Sequence, residues 1–369
     1  MKIDFFKHNI DEEDISRVND VLRSIFLTNA NVTKEFEKKF SEYLKSKHCI
    51  AVNSCTAALH LSLLALDIKE GDEVITTPMS FVATSNAILH VGAIPVFVDI
   101  EEDTGNIDAS LIESAITSKT KAIIPVHLYG NMCDMIKIKE IADKYNLKII
   151  EDAAHCIEGE RDGIQVGELS DAACFSFYAT KNITSGEGGA ITTNNDTVAQ
   201  LLYQLRLHGI NRDASSRYTD KFQHWDMKVL GWKYNISDIQ SALLIGQLEK
   251  IENRLSRREE IATYYETEFD RLGIKYVKTP KNTKSARHLF VIKTENRDDM
   301  VSKLQNKGIG VAVNYRAIHV LDYYKNRFGY KSEDFPIAKA FGDRVISIPL
   351  YVKLTDLESS YIVTQLIKE

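Results

Sequence analysis

Between Ser54 and about Val198, short β-branched runs alternate with stretches whose apolar residues recur at helical spacing. That alternation is the pattern of a mostly parallel, doubly wound α/β sheet. Glu73–Thr77 and Ile94–Val98 read as strands on either side of a helix over Ser80–His90. A strand over Lys121–His127, a helix over Asp134–Tyr145 and a strand over Leu147–Ile150 repeat the unit. Ligands of open α/β sheets gather beyond the carboxyl ends of the strands, which draws notice to Asp152 and His155, just past one such end.

Further on, Ser237-Asp-Ile-Gln240 is a capping box, and Leu243, Leu244, Leu248, Ile251 and Leu255 fall on one face of the helix it opens. The helical pattern runs to Leu272, with Gly273 as its stop. That is long for a globular helix, so a break near Ser256 or a span between domains is expected. The boundary is set at about residue 250, giving a large domain over 1–250, N-terminal segment included, and a smaller C-terminal α/β domain over 251–369. The latter reads as a strand (His288–Thr294), a helix (Asp298–Lys307) stopped by Gly308, a strand (Gly310–Tyr315) and a last helix boxed by Thr355 and Glu358.

Composition narrows the classes. At 369 residues, 44% hydrophobic and 27% charged, the chain is ordinary globular material with enough length for a sizeable core. Lys and Arg number 46 against 52 Asp and Glu, for a net charge of -6 without a long basic block, so no nucleic-acid partner is expected. The start turns acidic at Asp11–Asp14, unlike a secretory signal, and no apolar run nears the roughly 18 residues of a spanning helix, so no membrane partner is expected. Five cysteines, an odd number without a CxxC pair, suit a reducing cytoplasm.

Chemistry is approached by elimination. There is no GxxxxGK[ST], and Gly186-Glu-Gly-Gly189 precedes a strand rather than opening a helix, so phosphate-loop and dinucleotide readings fail. No His/Cys set has metal spacing, and no GxSxG elbow occurs, so no metal is expected. Three features remain. Asn53-Ser54-Cys55-Thr56 sets hydroxyls before a helix, where free amides and the dipole suit a phosphate, although a plain N-cap explains Ser54 or Thr56 equally well. Glu151-Asp152-Ala-Ala-His155 follows an apolar run, where a capping aspartate is also common. Lys181 lies in a loop between the apolar Phe175–Phe177 and Ala190–Thr193, held from both sides although most lysines are merely solvated. Together they supply what pyridoxal 5'-phosphate requires: a phosphate cup, a carboxylate for the pyridine nitrogen and a lysine for a Schiff base.

The same residues carry a resemblance. From about Asp11 to Leu366, through Gly71-Asp-Glu-Val-Ile-Thr-Thr-Pro, Ser80-Phe-Val-Ala-Thr, Glu151-Asp-Ala-Ala-His, Ser176-Phe-Tyr-Ala-Thr-Lys and Gly186-Glu-Gly-Gly, the chain resembles the DegT/DnrJ/EryC1/StrS family of pyridoxal-phosphate-dependent sugar-nucleotide aminotransferases. The resemblance implies fold type I, the aspartate aminotransferase fold. Lys233-Tyr-Asn235, Asn314-Tyr-Arg-Ala-Ile-His319 and Ser347-Ile-Pro-Leu-Tyr resemble most the members that aminate C4 of UDP-linked 4-keto sugars.

By position, the resemblance makes Lys181 the Schiff-base lysine and proton shuttle and Asp152 the partner of the ring nitrogen. Phe81 then stacks on the ring, His155 meets the ring hydroxyl, and Ser54, Cys55, Thr56 and Ser176 surround the phosphate, while His319 lies near the sugar. Cys55 stands where members usually have Gly or Ala, and Gly231-Trp-Lys-Tyr-Asn235 replaces Gly-Tyr-Asn-Tyr-Arg, so the phosphate contact from a second subunit falls to Lys233 or Asn235, with Asn235 preferred. The implied enzyme is a cytoplasmic homodimer with shared sites that moves an amine from glutamate to a nucleotide-linked keto sugar. Amination at C3 of a dTDP-keto sugar and a non-catalytic sensor or scaffold of the same fold stay open beside it. The sugar dehydratases of this fold resemble it too, but carry histidine where Lys181 stands.

Overall fold

The structure is a computed structural model that describes residues 1–211 and 224–367. The first strands are β1 (His48–Val52), β2 (Glu73–Thr76), β3 (Ile94–Phe97), β4 (Thr120–Ile124) and β5 (Lys148–Asp152). A short ribbon, β6 (Glu160–Arg161) and β7 (Ile164–Gln165), separates them from β8 (Ala172–Ser176) and β9 (Gly189–Thr193). Without the ribbon they form one seven-stranded sheet in the order β1-β9-β8-β5-β4-β2-β3. Neighbours pair in parallel except for β9, which runs against both β1 and β8.

Helices cover both faces, so most strand side chains pack against apolar partners. Ala51, Ile75, Ile123, Ile149, Ala173 and Phe175 pack with Phe36 and Phe40 and with the helices Met135–Tyr145 and Asp238–Glu249. Their neighbours in sequence, Ile50, Val52, Val74, Ala122, Ile150 and Cys174, pack with the helices Cys55–Ala65, Ala83–His90 and Asp196–Leu205. This period-two split across a doubly covered sheet is why the strands read as continuous apolar runs.

The expected capping box at Ser237 is present, but the break falls at Lys250, between Asp238–Glu249 and Ile251–Leu272, and not near Ser256. Ser256 lies within the second helix, its hydroxyl bonding back to the Glu252 carbonyl at 3.0 Å. The second helix packs Ile261, Tyr265 and Phe269 on a pair of antiparallel strands and on the last helix, Asp356–Leu366. Of the remaining strands, β10 (Thr283–Lys284) pairs with β6, and β11 (Phe290–Lys293) with β12 (Val345–Ile348). The expected strand over Gly310–Tyr315 is an irregular segment with one bridge, Ala312 to Ser347. It instead takes the N-terminal residues alongside: the Ile3 amide donates to Gly308, the Gly310 amide donates to Ile3, and Ile3 is buried in the same core as Phe290. Among the described residues no helix is long and apolar enough to cross a membrane, and all five cysteines are free.

Candidate active site

The carboxyl ends of β1, β5 and β8 deliver the residues singled out in the sequence. β1 ends at Val52, and Ser54 then caps the helix Cys55–Ala65, its Oγ accepting from the Ala57 amide at 3.1 Å and its carbonyl from the Ala58 amide. The cap leaves the first-turn amides of Cys55 and Thr56 without a bond among the described residues, at the positive end of the helix dipole. β9 runs past so closely that a Cβ on Gly189 would lie 2.5 Å from the Ser54 carbonyl carbon and 2.7 Å from the Cys55 nitrogen. Only bare backbone fits there. Ser176, the last residue of β8, is buried, and its Oγ accepts from the Tyr178 amide at 3.4 Å.

Asp152 ends β5 with its carboxylate buried. Thr84 donates to Oδ2 at 2.7 Å and the Ala154 amide to Oδ1 at 3.2 Å, and Ser80 supports Thr84 at 2.8 Å. Burial pushes the Asp152 carboxyl up from its ordinary value, against the lowering effect of those two bonds and of the Lys181 charge. Lys181 lies in the loop joining the antiparallel neighbours β8 and β9, closed by bonds from Phe177 to Gly188 and from Ser185 to Phe177. Desolvation lowers its amine to about 8, opposed by Cys55 and Asp152, so about a tenth of it is neutral at pH 7, far more than for an unperturbed lysine. Burial raises the Cys55 thiol well above its ordinary value, which keeps it a thiol beside Lys181.

Phe81 is 56% exposed, an open aromatic face whose ring lies 5.8 Å from that of Tyr315. His155 is buried: its Nδ1 accepts from the Tyr129 amide at 3.2 Å, and its Nε2 meets the Tyr315 hydroxyl at 3.2 Å. Desolvation, then Lys181 and His288, hold its imidazole well below the usual value and therefore neutral.

Two further expected residues make contacts within this chain. Asn235 lies beside β1 of its own chain, bridged to Val52, with its amide donating to Thr28 Oγ1 at 3.3 Å and its Oδ1 accepting from Lys233. His319 is fully buried, edge-on to Phe335 at 5.0 Å and bonded through Nε2 to the Ser332 carbonyl at 3.3 Å. Its ring has no face open to a sugar, and what it holds in place is the turn after Tyr315. Thr84, Gly189 and His288 were missed as site residues because nothing in their local sequence tells which strand end they will meet.

The residues present fit pyridoxal phosphate. Free amides lie where a phosphate would sit, Asp152 keeps lone pairs for a cationic ring nitrogen, and Gly189 leaves the cup bare. Fold and site together define a pyridoxal-phosphate enzyme of fold type I. Over residues 8–367 the chain matches the DegT/DnrJ/EryC1/StrS aminotransferase family. It is 40% identical to the spore coat polysaccharide biosynthesis protein SpsC of Bacillus subtilis, over 94% of this chain and 92% of that one. Spr1654 of Streptococcus pneumoniae, assigned as a sugar aminotransferase and solved in its PLP form, superposes with a TM-score of 0.93 at 33% identity, covering 100% of this chain and 98% of that one. PseC of Helicobacter pylori, an aminotransferase involved in the biosynthesis of pseudoaminic acid, gives 0.91 at 30% identity, covering 99% and 98%. The chain belongs to the DegT/DnrJ/EryC1/StrS family and is an aminotransferase, and pyridoxal phosphate is the cofactor of that family.

Proposed function

We propose that this aminotransferase moves an amine from L-glutamate to C4 of a UDP-linked keto sugar, in the cytoplasm, as a homodimer. The observation that carries the catalytic part is the meeting of Asp152 and Lys181 beyond the carboxyl ends of the neighbouring central strands β5 and β8, each shifting the other's titration. Bound pyridoxal phosphate supplies an electron sink for the charge left when a proton leaves the carbon bearing the amine. Asp152 would hold the ring nitrogen protonated, and the amides of Cys55 and Thr56 with the Ser54 and Ser176 hydroxyls would hold the phosphate. Phe81 would stack on the ring, and His155 would face the ring hydroxyl. Lys181 takes and returns the proton at Nζ, a task for which a value of about 8 suits an amine near neutral pH.

The sugar substrate is supported by the relatives, one in spore coat polysaccharide biosynthesis and one in the biosynthesis of pseudoaminic acid. The UDP carrier and the C4 position rest on the motif Asn314-Tyr-Arg-Ala-Ile-His319 with Lys233-Tyr-Asn235. A second copy is supported by apolar side chains left exposed around the Lys233–Asn235 loop, with Ile25 at 86%, Leu230 at 73% and Trp225 at 59%. In that dimer the loop would reach the phosphate of the neighbouring site. Incubation with glutamate and UDP-, GDP- and dTDP-linked keto sugars tests the reading. Amination of the UDP-linked 4-keto sugar is expected, and transfer confined to a dTDP-linked 3-keto sugar overturns the carrier and the position.

A further inference from the structure

Directly after Lys181, the half-buried side chain of Asn182 reaches into a polar clamp. Its Nδ2 donates to Glu158 Oε1 at 3.1 Å and Oε2 at 2.9 Å and to the Ala286 carbonyl at 2.9 Å. Glu158 is itself paired with Arg258 on the helix Ile251–Leu272, and neither side chain is exposed by more than a few per cent. The amide nitrogen thus faces only acceptors, which identifies the other atom as Oδ1, and that oxygen meets His288 Nδ1 at 3.2 Å. An oxygen with no hydrogen must accept, so the His288 proton is on Nδ1. His155 has the opposite tautomer, since its Nδ1 accepts from the Tyr129 amide and its Nε2 carries the proton toward Tyr315. The two rings lie 4.4 Å apart, and the His288 amide donates to the Tyr129 carbonyl at 3.2 Å. No proton is shared between them, and both are held neutral by burial and by the nearby Lys181 charge.

We propose that His288 is a positioning residue of the aminotransferase site, fixing the backbone that carries Lys181 through Asn182 and fixing the His155 ring by direct contact. Arg258 and Glu158 are the anchor of that clamp. Through them the helix after Lys250 and the segment Ala286–His288 are tied to the Lys181 loop, although Ala286 and His288 lie 104 and 106 residues from Asn182 in sequence. The groups facing Lys181 are Cys55 on its helix, Asp152 at the end of β5, and His155 and His288. Around His288 they are Lys181 and Arg258, with His155 in ring contact.

The proposal rests on Lys181 as the cofactor lysine, and its test separates the two ideas. The visible absorbance of the cofactor bound to the holoenzyme is titrated with pH for wild type, His288→Phe and His288→Asn. Phe keeps a ring against His155 but leaves Asn182 Oδ1 unpaired, whereas Asn restores a donor close to where Nδ1 stood. His288→Phe is expected to lower kcat about tenfold, the effect of one lost hydrogen bond, with little change in the KM for the amino donor. Its absorbance midpoint should rise, because a loosened Lys181 loop admits water, which favours the charged form. His288→Asn should recover most of both effects.

Should His288→Phe not fold, Asn182→Ala must reproduce the shifted midpoint on its own. Adding His288→Asn to it should then have no further effect on the midpoint. An unchanged midpoint in folded His288→Phe, or His288→Asn no better than Phe, overturns the proposal. Absence of the absorbance from wild type would instead count against Lys181 as the cofactor lysine.

Discussion

Thr84 Oγ1 donates to Asp152 Oδ2 at 2.7 Å, joining the start of the helix after β2 to the end of β5 inside the core. The bond favours the ionised carboxylate against the burial that opposes it. Thr84→Val keeps the shape and removes the donor. A hydrogen bond to a charged group contributes about 1.5 to 3 kcal/mol, so turnover should fall roughly tenfold to a hundredfold if the bond acts fully in the transition state, while Thr84→Ser stays near wild type. Steady-state rates of the three proteins check this.

Asp152→Asn tests the carboxylate itself. It keeps the shape but removes the charge, and loss of a charge-assisted bond to the ring nitrogen should slow both half-reactions by about one to two decades. Single-turnover rates with the amino donor and with the keto acceptor measure the two halves separately. Unchanged turnover in both removes Asp152 from the mechanism.

A methyl group on Gly189 meets the Ser54–Cys55 peptide at 2.5 to 2.7 Å, all three near atoms being backbone with no flexible side chain to yield. Gly189→Ala should lower stability by about 1 to 3 kcal/mol, as overpacking does, and displace the amides of the phosphate cup. The expected outcome is a cofactor dissociation constant raised at least tenfold, read by absorbance titration, with the phosphate-free aldehyde affected much less.

Lys181→Ala should abolish transamination while the fold persists, and borohydride should trap the cofactor of the wild type on Lys181. Recovery of the reduced adduct on another lysine would contradict the assignment. A thermodynamic consequence follows as well. The folded value of about 8 lies below the 10.5 of an unperturbed lysine, so between them the unfolded chain binds more protons and stability rises with pH. Below about pH 8 the buried amine costs up to about 3 kcal/mol. In the cofactor-free protein Lys181→Met should therefore be the more stable form at pH 7, with the gap closing by pH 10.5 in denaturant titrations.

If the Lys233–Asn235 loop serves the neighbouring subunit, Asn235→Ala mixed with Lys181→Ala should regain activity, because one site of each hybrid dimer is then assembled from wild-type parts. The test needs each variant nearly inactive alone and subunits that exchange. Hybrids that form and recover nothing would place the Asn235 contribution within its own chain, where it already lies beside Val52. A fully active monomer in sedimentation would remove the dimer from the reading.

By itself the sequence determined the parts that depend on neighbours along the chain. The alternation of apolar runs specified a sheet buried on both faces, Ser237 with Gln240 and Thr355 with Glu358 specified where helices start, and the Ser54, Asp152 and Lys181 segments each showed the local form of a strand end or a loop beyond one. Local hydrogen bonding and side-chain period carry such signals over a few residues. Tertiary structure alone decided which distant segments meet. Ser256 stays helical while Lys250 breaks, Gly310–Tyr315 turns irregular beside the N-terminal residues, and His319 is sealed against Phe335. Thr84 beneath Asp152, Gly189 against Ser54 and His288 on Asn182 arise from strand order and packing, where a burial cost is met by whatever partner the topology brings within hydrogen-bond reach.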